Sequence, residues 1–146
     1  MMKSDNEDVF YIENEATGLV LDVRGTVQLW PINGSRAQRW KWDENFLVNQ
    51  LNGLVLEVND EDTPAKNNDG QTLGIGPRNG CPSQQWFMEC GNLSNKLHGH
   101  CLDIRDDSTY IPGEIVHMWH QRATTYNWTF KLISSKIYLC LGVPSK

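Results

Sequence analysis

Three side chains in the first part of the sequence suggest a binding site: Asp22, Gln28 and Trp30. A carboxylate has two acceptor oxygens and can take hydrogen bonds from two adjacent hydroxyl groups. An indole ring can cover the weakly apolar C–H face of a sugar, and an amide adds a donor and an acceptor that give specificity. The set therefore predicts binding of a neutral, hydroxyl-rich ligand. The alternatives are that Asp22 caps a turn and that Trp30 is an ordinary surface aromatic.

A second set of the same kind lies in the last third of the chain. Asp103 supplies the carboxylate, Trp119 supplies the ring, and His117 stands where Gln28 stands in the first set. Because a histidine beside a carboxylate can titrate near neutral pH, we expect binding here to change between about pH 5 and 7.

Both sets belong to a pattern that occurs three times. The three copies read GLVLDV, GLVLEV and GHCLDI, and a tryptophan follows each of them, at Trp40, Trp86 and Trp128. A side chain that recurs in every unit is typical of a scaffold rather than of a ligand contact. Since tryptophan is also mostly buried in proteins, we predict that these three residues form the structural core.

The elements that must position these residues are β-strands. Short apolar runs recur between Gly, Pro, Asn and Asp, and no long segment shows the apolar stripe of a helix. The units span roughly residues 9–44, 45–90 and 91–132, and three units are too few for a propeller of about four to eight blades. We predict one all-β domain over residues 1–146, a β-trefoil of three pseudo-repeats and about twelve short strands. A tail, residues 133–146, echoes the start of a repeat.

These motifs resemble those of the ricin B-type lectins, which are β-trefoils marked by three Gln-x-Trp motifs. The order GLVLDVR, QLWP and QRW in the first unit is similar to that of the family's sugar-binding subdomain, and the resemblance extends from about Val9 to Leu132. It implies a non-catalytic protein that binds galactose- or N-acetylgalactosamine-type glycans. It further implies that Asp22 holds two hydroxyls, that Trp30 stacks on the sugar and that Gln28 bonds nearby.

The first unit departs from the family pattern beside its Gln-x-Trp motif. The family usually has an Asn before the Gln, whereas this chain has Ala37. One hydrogen bond is therefore lost or supplied elsewhere, with Asn33 and Arg24 as the candidates. Gln38 joins the candidate binding residues, although its repetition as Gln84 also fits a side chain that satisfies buried backbone groups.

The other two units each differ from the first. The third unit carries Thr125 at the position of Ala37. In the middle unit, Glu57 is one methylene longer than Asp, and the stacking position falls at Gly76, which has no ring. We therefore expect a degenerate middle site and at most two sugar sites.

Composition and charge limit the other functions. The 146 residues carry a net charge of −5, which gives no electrostatic footprint for nucleic acid. No apolar run approaches the roughly 18 residues of a membrane span, so we expect no membrane insertion. No apolar h-region follows the first residues, so we expect a cytoplasmic protein or one released without a signal peptide.

Glycans are therefore the expected partners. A homodimer is also possible if the tail, residues 133–146, mediates dimerisation. No metal or other cofactor is expected, because the four histidines lack a zinc-type partner cluster. An enzyme is not expected either, because the repeat pattern shows one carboxylate per unit, whereas glycoside hydrolysis needs a pair about 5–10 Å apart. The alternative is a β-trefoil that binds a protein, such as a protease inhibitor or a cytoskeletal module, through loops like residues 59–70.

The four cysteines have no clear pairing pattern. In ricin-type lectins a disulfide often joins two positions of a unit, and here those positions hold Cys101 and Gln121 in the third unit. We therefore expect the cysteines to be reduced and mostly buried.

Overall fold

The computed structural model describes residues 8–24, 26–59, 68–104, 112–113, 115–121 and 127–133, with the backbone alone for Arg24. Among the predicted positions, Thr125, residues 60–67 of the candidate partner-binding loop, and the tail from residue 134 onward, which includes Cys140, lie outside these residues. Within the described ranges, no helix is long and apolar enough to cross a membrane.

Among the described residues the chain forms twelve strands and two short 3₁₀ turns. In chain order the strands are β1 (Phe10–Asn14), β2 (Val20–Arg24), β3 (Thr26–Trp30), β4 (Trp40–Asp43), β5 (Phe46–Asn49), β6 (Val55–Val58), β7 (Leu73–Gly76), β8 (Trp86–Glu89), β9 (Asn92–Asn95), β10 (Cys101–Ile104), β11 (Val116–Trp119) and β12 (Trp128–Leu132). The 3₁₀ turns, Arg36–Gln38 and Pro82–Gln84, precede β4 and β8. Each of the three units thus contains four strands.

Six of the strands form a barrel. β1 pairs antiparallel with β12 and with β4, β4 with β5, and β8 with β9. The backbone N–H of Trp86 donates to the carbonyl of Asn45, and that of Trp128 to the carbonyl of Gly91, each at 2.9 Å. These two bonds tie β8 and β12 to the neighbouring turns. The remaining strands form three hairpins, β2–β3, β6–β7 and β10–β11. The predicted all-β class and the β-trefoil are confirmed.

The three repeated tryptophans lie in one buried core. Each donates its indole N–H to the carbonyl of the leucine that precedes the carboxylate of its unit. The bonds run from Trp40 to Leu21 at 3.5 Å, from Trp86 to Leu56 at 3.0 Å and from Trp128 to Leu102 at 3.1 Å. A buried indole N–H needs such an acceptor, so each tryptophan fixes the hairpin of its unit against the barrel.

The glycine that opens each repeated hexapeptide ends a turn in the left-handed region of backbone conformation. The φ angles are 75° at Gly18, 77° at Gly53 and 73° at Gly99. Each glycine N–H donates to the carbonyl of a buried asparagine four residues earlier, at Asn14, Asn49 and Asn95. Positive φ favours glycine, which explains why every unit restarts on this residue. The asparagines were not singled out from the sequence.

The cysteines correct one expectation. Cys81, Cys90 and Cys101 carry free thiols, but only Cys101 is buried. Cys81 and Cys90 are exposed, so the expectation that the cysteines are mostly buried was wrong for these two residues. The reason is local, since Cys81 precedes a 3₁₀ turn and Cys90 lies in the β8–β9 turn.

Candidate functional site

The β2–β3 hairpin brings the first candidate set together. In the antiparallel register of this hairpin, Asp22 lies opposite Gln28, and Val20, at the start of β2, lies opposite Trp30. The Asp22 side chain is fully buried, whereas Gln28 and Trp30 are partly exposed. The carboxylate therefore lies beneath a surface on which the amide and the indole are accessible.

Gln38, the glutamine of the first Gln-x-Trp motif, holds this carboxylate in place. Its Nε2 donates to Asp22 Oδ2 at 2.8 Å and to the carbonyl of Pro31 at 2.9 Å. Its Oε1 accepts from the N–H of Asn33 at 2.9 Å. Gln38 is itself fully buried, and these bonds link β2 to the segment after Trp30 and hold Asp22 in position.

The two residues proposed to replace the missing family Asn have different surroundings. Asn33 is exposed, and its Oδ1 accepts from the N–H of Ser35 at 2.9 Å, so this oxygen is engaged in a turn. The side chain of Arg24 is outside the described part of the structure. The carbonyl of Ala37 accepts from Nδ2 of Asn49 at 3.0 Å.

The β10–β11 hairpin repeats the register in the third unit. Asp103 pairs with His117, and Cys101 pairs with Trp119. Asp103 is fully buried, and its Oδ1 accepts from the N–H of Ile104 at 2.9 Å. The His117 ring stacks on the Trp119 ring with 5.1 Å between centroids and 23° between planes. Trp119 is partly exposed, so a partly exposed ring again accompanies a buried carboxylate.

The middle hairpin has the register without the aromatic ring. Glu57 pairs with Gly74 and Val55 with Gly76, so Gly76 stands where Trp30 stands in the first unit. Gln84 donates to Glu57 Oε1 at 2.8 Å, as Gln38 does to Asp22. A Cβ added to Gly76 would lie 2.7 Å from Glu57 Oε2. The longer carboxylate therefore fills the space beside the position that holds a ring in the other units.

A cluster missed from the sequence lies beside the third hairpin. Asp69 is nearly buried, with Oδ1 at 3.1 Å from His100 Nε2 and Oδ2 at 2.7 Å from His120 Nδ1. Asp69 and His120 are 51 positions apart in the sequence, and no periodicity links them. Within the described ranges, no group of three or more His, Cys, Asp or Glu residues could hold a metal ion.

The comparisons with known proteins agree with the β-trefoil fold. A family model described as a ricin-type beta-trefoil lectin domain-like family matches residues 2–66 and 44–119. The chain belongs to this family. The resemblance read from the motifs is thereby confirmed, and membership supports a carbohydrate-binding role. No curated protein sequence matches the chain significantly.

Solved structures with the same fold include designed and natural proteins. The designed 3-fold symmetric protein ThreeFoil is 21% identical with a TM-score of 0.70, covering 84% of this chain and 97% of its own. The earthworm R-type lectin C-half in complex with GalNAc is 19% identical with a TM-score of 0.67, covering 86% and 99%. The Macrolepiota procera ricin B-like lectin in complex with lactose is 20% identical with a TM-score of 0.67, covering 89% and 99%. At these identities the likeness is one of fold.

Proposed function

We propose that this ricin-type domain is a non-catalytic lectin with two glycan sites, one on the first hairpin and one on the third. The observation that supports this most strongly is the shared register. A carboxylate pairs with a polar side chain, and a partly exposed indole follows two positions later, in the pairs Asp22–Gln28 and Asp103–His117. In the middle unit, glycine stands at both of the corresponding positions.

The chemistry of each site follows from these groups. The indole covers the C–H face of the sugar, and the carboxylate accepts from two hydroxyls. Since Asp22 and Asp103 are both fully buried, a sugar reaches them after the side chains above have moved. The cost of that movement makes each site weak on its own. Two weak sites, or a dimer, raise the avidity for a glycan surface.

Galactose- or N-acetylgalactosamine-type termini are the proposed ligands. The support is the family resemblance together with two structures of the same fold that were determined with GalNAc and with lactose. A non-catalytic role is proposed because the repeated motif supplies one carboxylate per unit, Asp22, Glu57 or Asp103, whereas the usual glycosidase uses two that flank the scissile bond.

A glycan array tests this proposal, with Asp22→Asn, Asp103→Asn and the double variant compared with the native chain. Asparagine keeps one acceptor oxygen, so the bonds to Gln38 and to the Ile104 N–H can persist. Losing a charged hydrogen bond costs about 1.5–3 kcal/mol, so each single variant should weaken its own site by roughly 10- to 100-fold.

The matched control is Glu57→Gln in the middle unit, which should bind as the native chain does. The double variant should bind no galactose- or GalNAc-terminated glycan. Undiminished binding by the double variant would show that the two sites are wrongly assigned.

A second candidate function is a protein-binding β-trefoil without sugar binding. The complete burial of both carboxylates favours it, because a buried aspartate can serve the fold alone. A native chain that binds no glycan on the array, but is folded by circular dichroism, would favour this candidate.

A further inference from the structure

Two backbone hydrogen bonds join the second unit to the third hairpin. The N–H of Gly70 donates to the carbonyl of Met118 at 2.7 Å, and the N–H of Met118 donates to the carbonyl of Gln71 at 2.9 Å. The first hairpin receives the equivalent contact from the third unit, where the N–H of Gly113 donates to the carbonyl of Leu29 at 2.7 Å. Each candidate site therefore borders a loop from another unit.

The residue before the donating glycine differs between the two sites. It is Asp69 at the third hairpin and Pro112 at the first. Proline has no side-chain hydrogen-bonding group, so only the third hairpin receives a carboxylate in this way. The two sites are therefore chemically unequal at their borders.

Asp69 contacts His120 at two points, one on the backbone and one on the imidazole ring. Its Oδ1 accepts from the backbone N–H of His120 at 2.8 Å, and its Oδ2 lies 2.7 Å from the ring Nδ1. An ionised carboxylate can only accept hydrogen bonds, so Nδ1 carries the proton in this contact. In the neutral ring this leaves Nε2 as an acceptor.

His120 stands directly beside the candidate stacking ring. Its centroid is 6.0 Å from that of Trp119, with 33° between the planes. The side chain is 53% exposed, whereas that of Asp69 is 4% exposed. The residue that follows the ring in the first unit is Pro31, which offers no acceptor on its side chain.

We propose that His120 is a further glycan-contacting residue of the third-unit site, accepting a hydrogen bond from a glycan hydroxyl at Nε2. Asp69 is the positioning residue that sets the ring orientation and its tautomer, and it comes from the second unit. This proposal rests on the proposed lectin function. It makes the third site a composite of two units, with one more hydroxyl contact than the first site.

Binding is tested in the Asp22→Asn background, where the measured affinity should be that of the third site alone. His120→Phe keeps a flat ring beside Trp119 but removes the acceptor. We expect this change to weaken methyl galactoside binding by roughly 2- to 10-fold, the range of one neutral hydrogen bond. In the native third site, the monodeoxy-galactosides that lack a hydroxyl bound by Asp103 or by His120 should bind more weakly than their parent, and His120→Phe should abolish that difference for one of them.

The role of Asp69 has a readout that needs no sugar. Long-range proton–nitrogen NMR correlations distinguish the two neutral tautomers of His120, and the native chain should show the Nδ1–H form. Asp69→Asn should shift His120 towards the Nε2–H form and should weaken the third site. The same variant in the Asp103→Asn background is the matched control, because the first site should then bind as before.

Each outcome bears on a different part of the proposal. If the third site binds and His120→Phe leaves both affinity and discrimination unchanged, the glycan contact is refuted. If native His120 carries its proton on Nε2, the positioning role of Asp69 is refuted. If the third site of the native chain binds no sugar, the proposed function itself fails there and the glycan contact fails with it, while the tautomer still decides the role of Asp69.

Discussion

Replacing Gln38 by leucine should separate the scaffold role of the Gln-x-Trp glutamine from its role in binding. Leucine has a similar volume but makes no hydrogen bond. The change removes one hydrogen-bond partner from each of Asp22 Oδ2, the Pro31 carbonyl and the Asn33 N–H, which lie 2.8, 2.9 and 2.9 Å from the glutamine amide.

The loss in the free energy of unfolding depends on how well water can replace each lost hydrogen-bond partner. The bond to Asp22 is buried and involves a carboxylate, so its loss costs about 2 kcal/mol. The other two bonds are partly buried, and their losses together cost about 1 kcal/mol. The free energy of unfolding should therefore fall by about 3 kcal/mol. For a chain of this length, that corresponds to a melting temperature lower by about 10 °C.

Gln84→Leu is the matched control in the middle unit. Gln84 makes the same three contacts, to Glu57, Pro77 and the Asn79 N–H, each at 2.8 Å. Glu57 is only half-buried, so water can solvate it and the loss should be smaller, about 2 kcal/mol. In the Asp103→Asn background, Gln38→Leu should also weaken galactoside binding at the first site at least tenfold, whereas Gln84→Leu should leave it unchanged.

Thermal unfolding and calorimetric titration measure both effects. A Gln38→Leu variant that melts within about 2 °C of its parent would show that Gln38 does not hold the buried carboxylate. Equal losses of binding in the two leucine variants would show that the effect is a general loss of stability and not the positioning of Asp22.

Three further predictions follow from other parts of the structure. Burial raises the pKa of the Cys101 thiol, so at neutral pH iodoacetamide should label exposed Cys81 well before Cys101, as peptide mass spectrometry would show. The hydrogen bond from Arg78 holds the pKa of Asp43 below its usual range. Asp43→Asn should therefore lower the unfolding free energy in urea by less than about 1 kcal/mol at neutral pH, since the pair is exposed, and this difference should fade as the pH falls below about 4. With the first site removed, galactoside affinity at the third site should change between about pH 5 and 7, and His117→Gln should remove that change.

The fold was predictable because the same structural residues recur in each unit of the sequence. A glycine at each positive-φ turn and a tryptophan in the core recur once per unit, since every unit must make the same turn and fill the same space. The register was predictable for the same reason. Counting back from Trp86 placed the missing ring at Gly76, and the strand pairing puts Gly76 opposite Val55, as Trp30 is opposite Val20.

Two features of the candidate sites were not predictable from the repeat. The complete burial of Asp22 depends on Gln38, which reaches it from a 3₁₀ turn 16 positions later. The contact between Asp69 and His120 crosses a unit boundary and joins residues 51 positions apart in the sequence. The Asp69–His120 contact depends on how the units dock, and the internal similarity of the units does not encode that docking.

The number of galactosides bound per chain tests the account most directly. Calorimetric titration of the native chain should give two sites, Asp22→Asn and Asp103→Asn should each give one, and the double variant should give none. Glu57→Gln should still give two. Two sites in the double variant, or the loss of a site in Glu57→Gln, would contradict the assignment of glycan binding to the first and third hairpins.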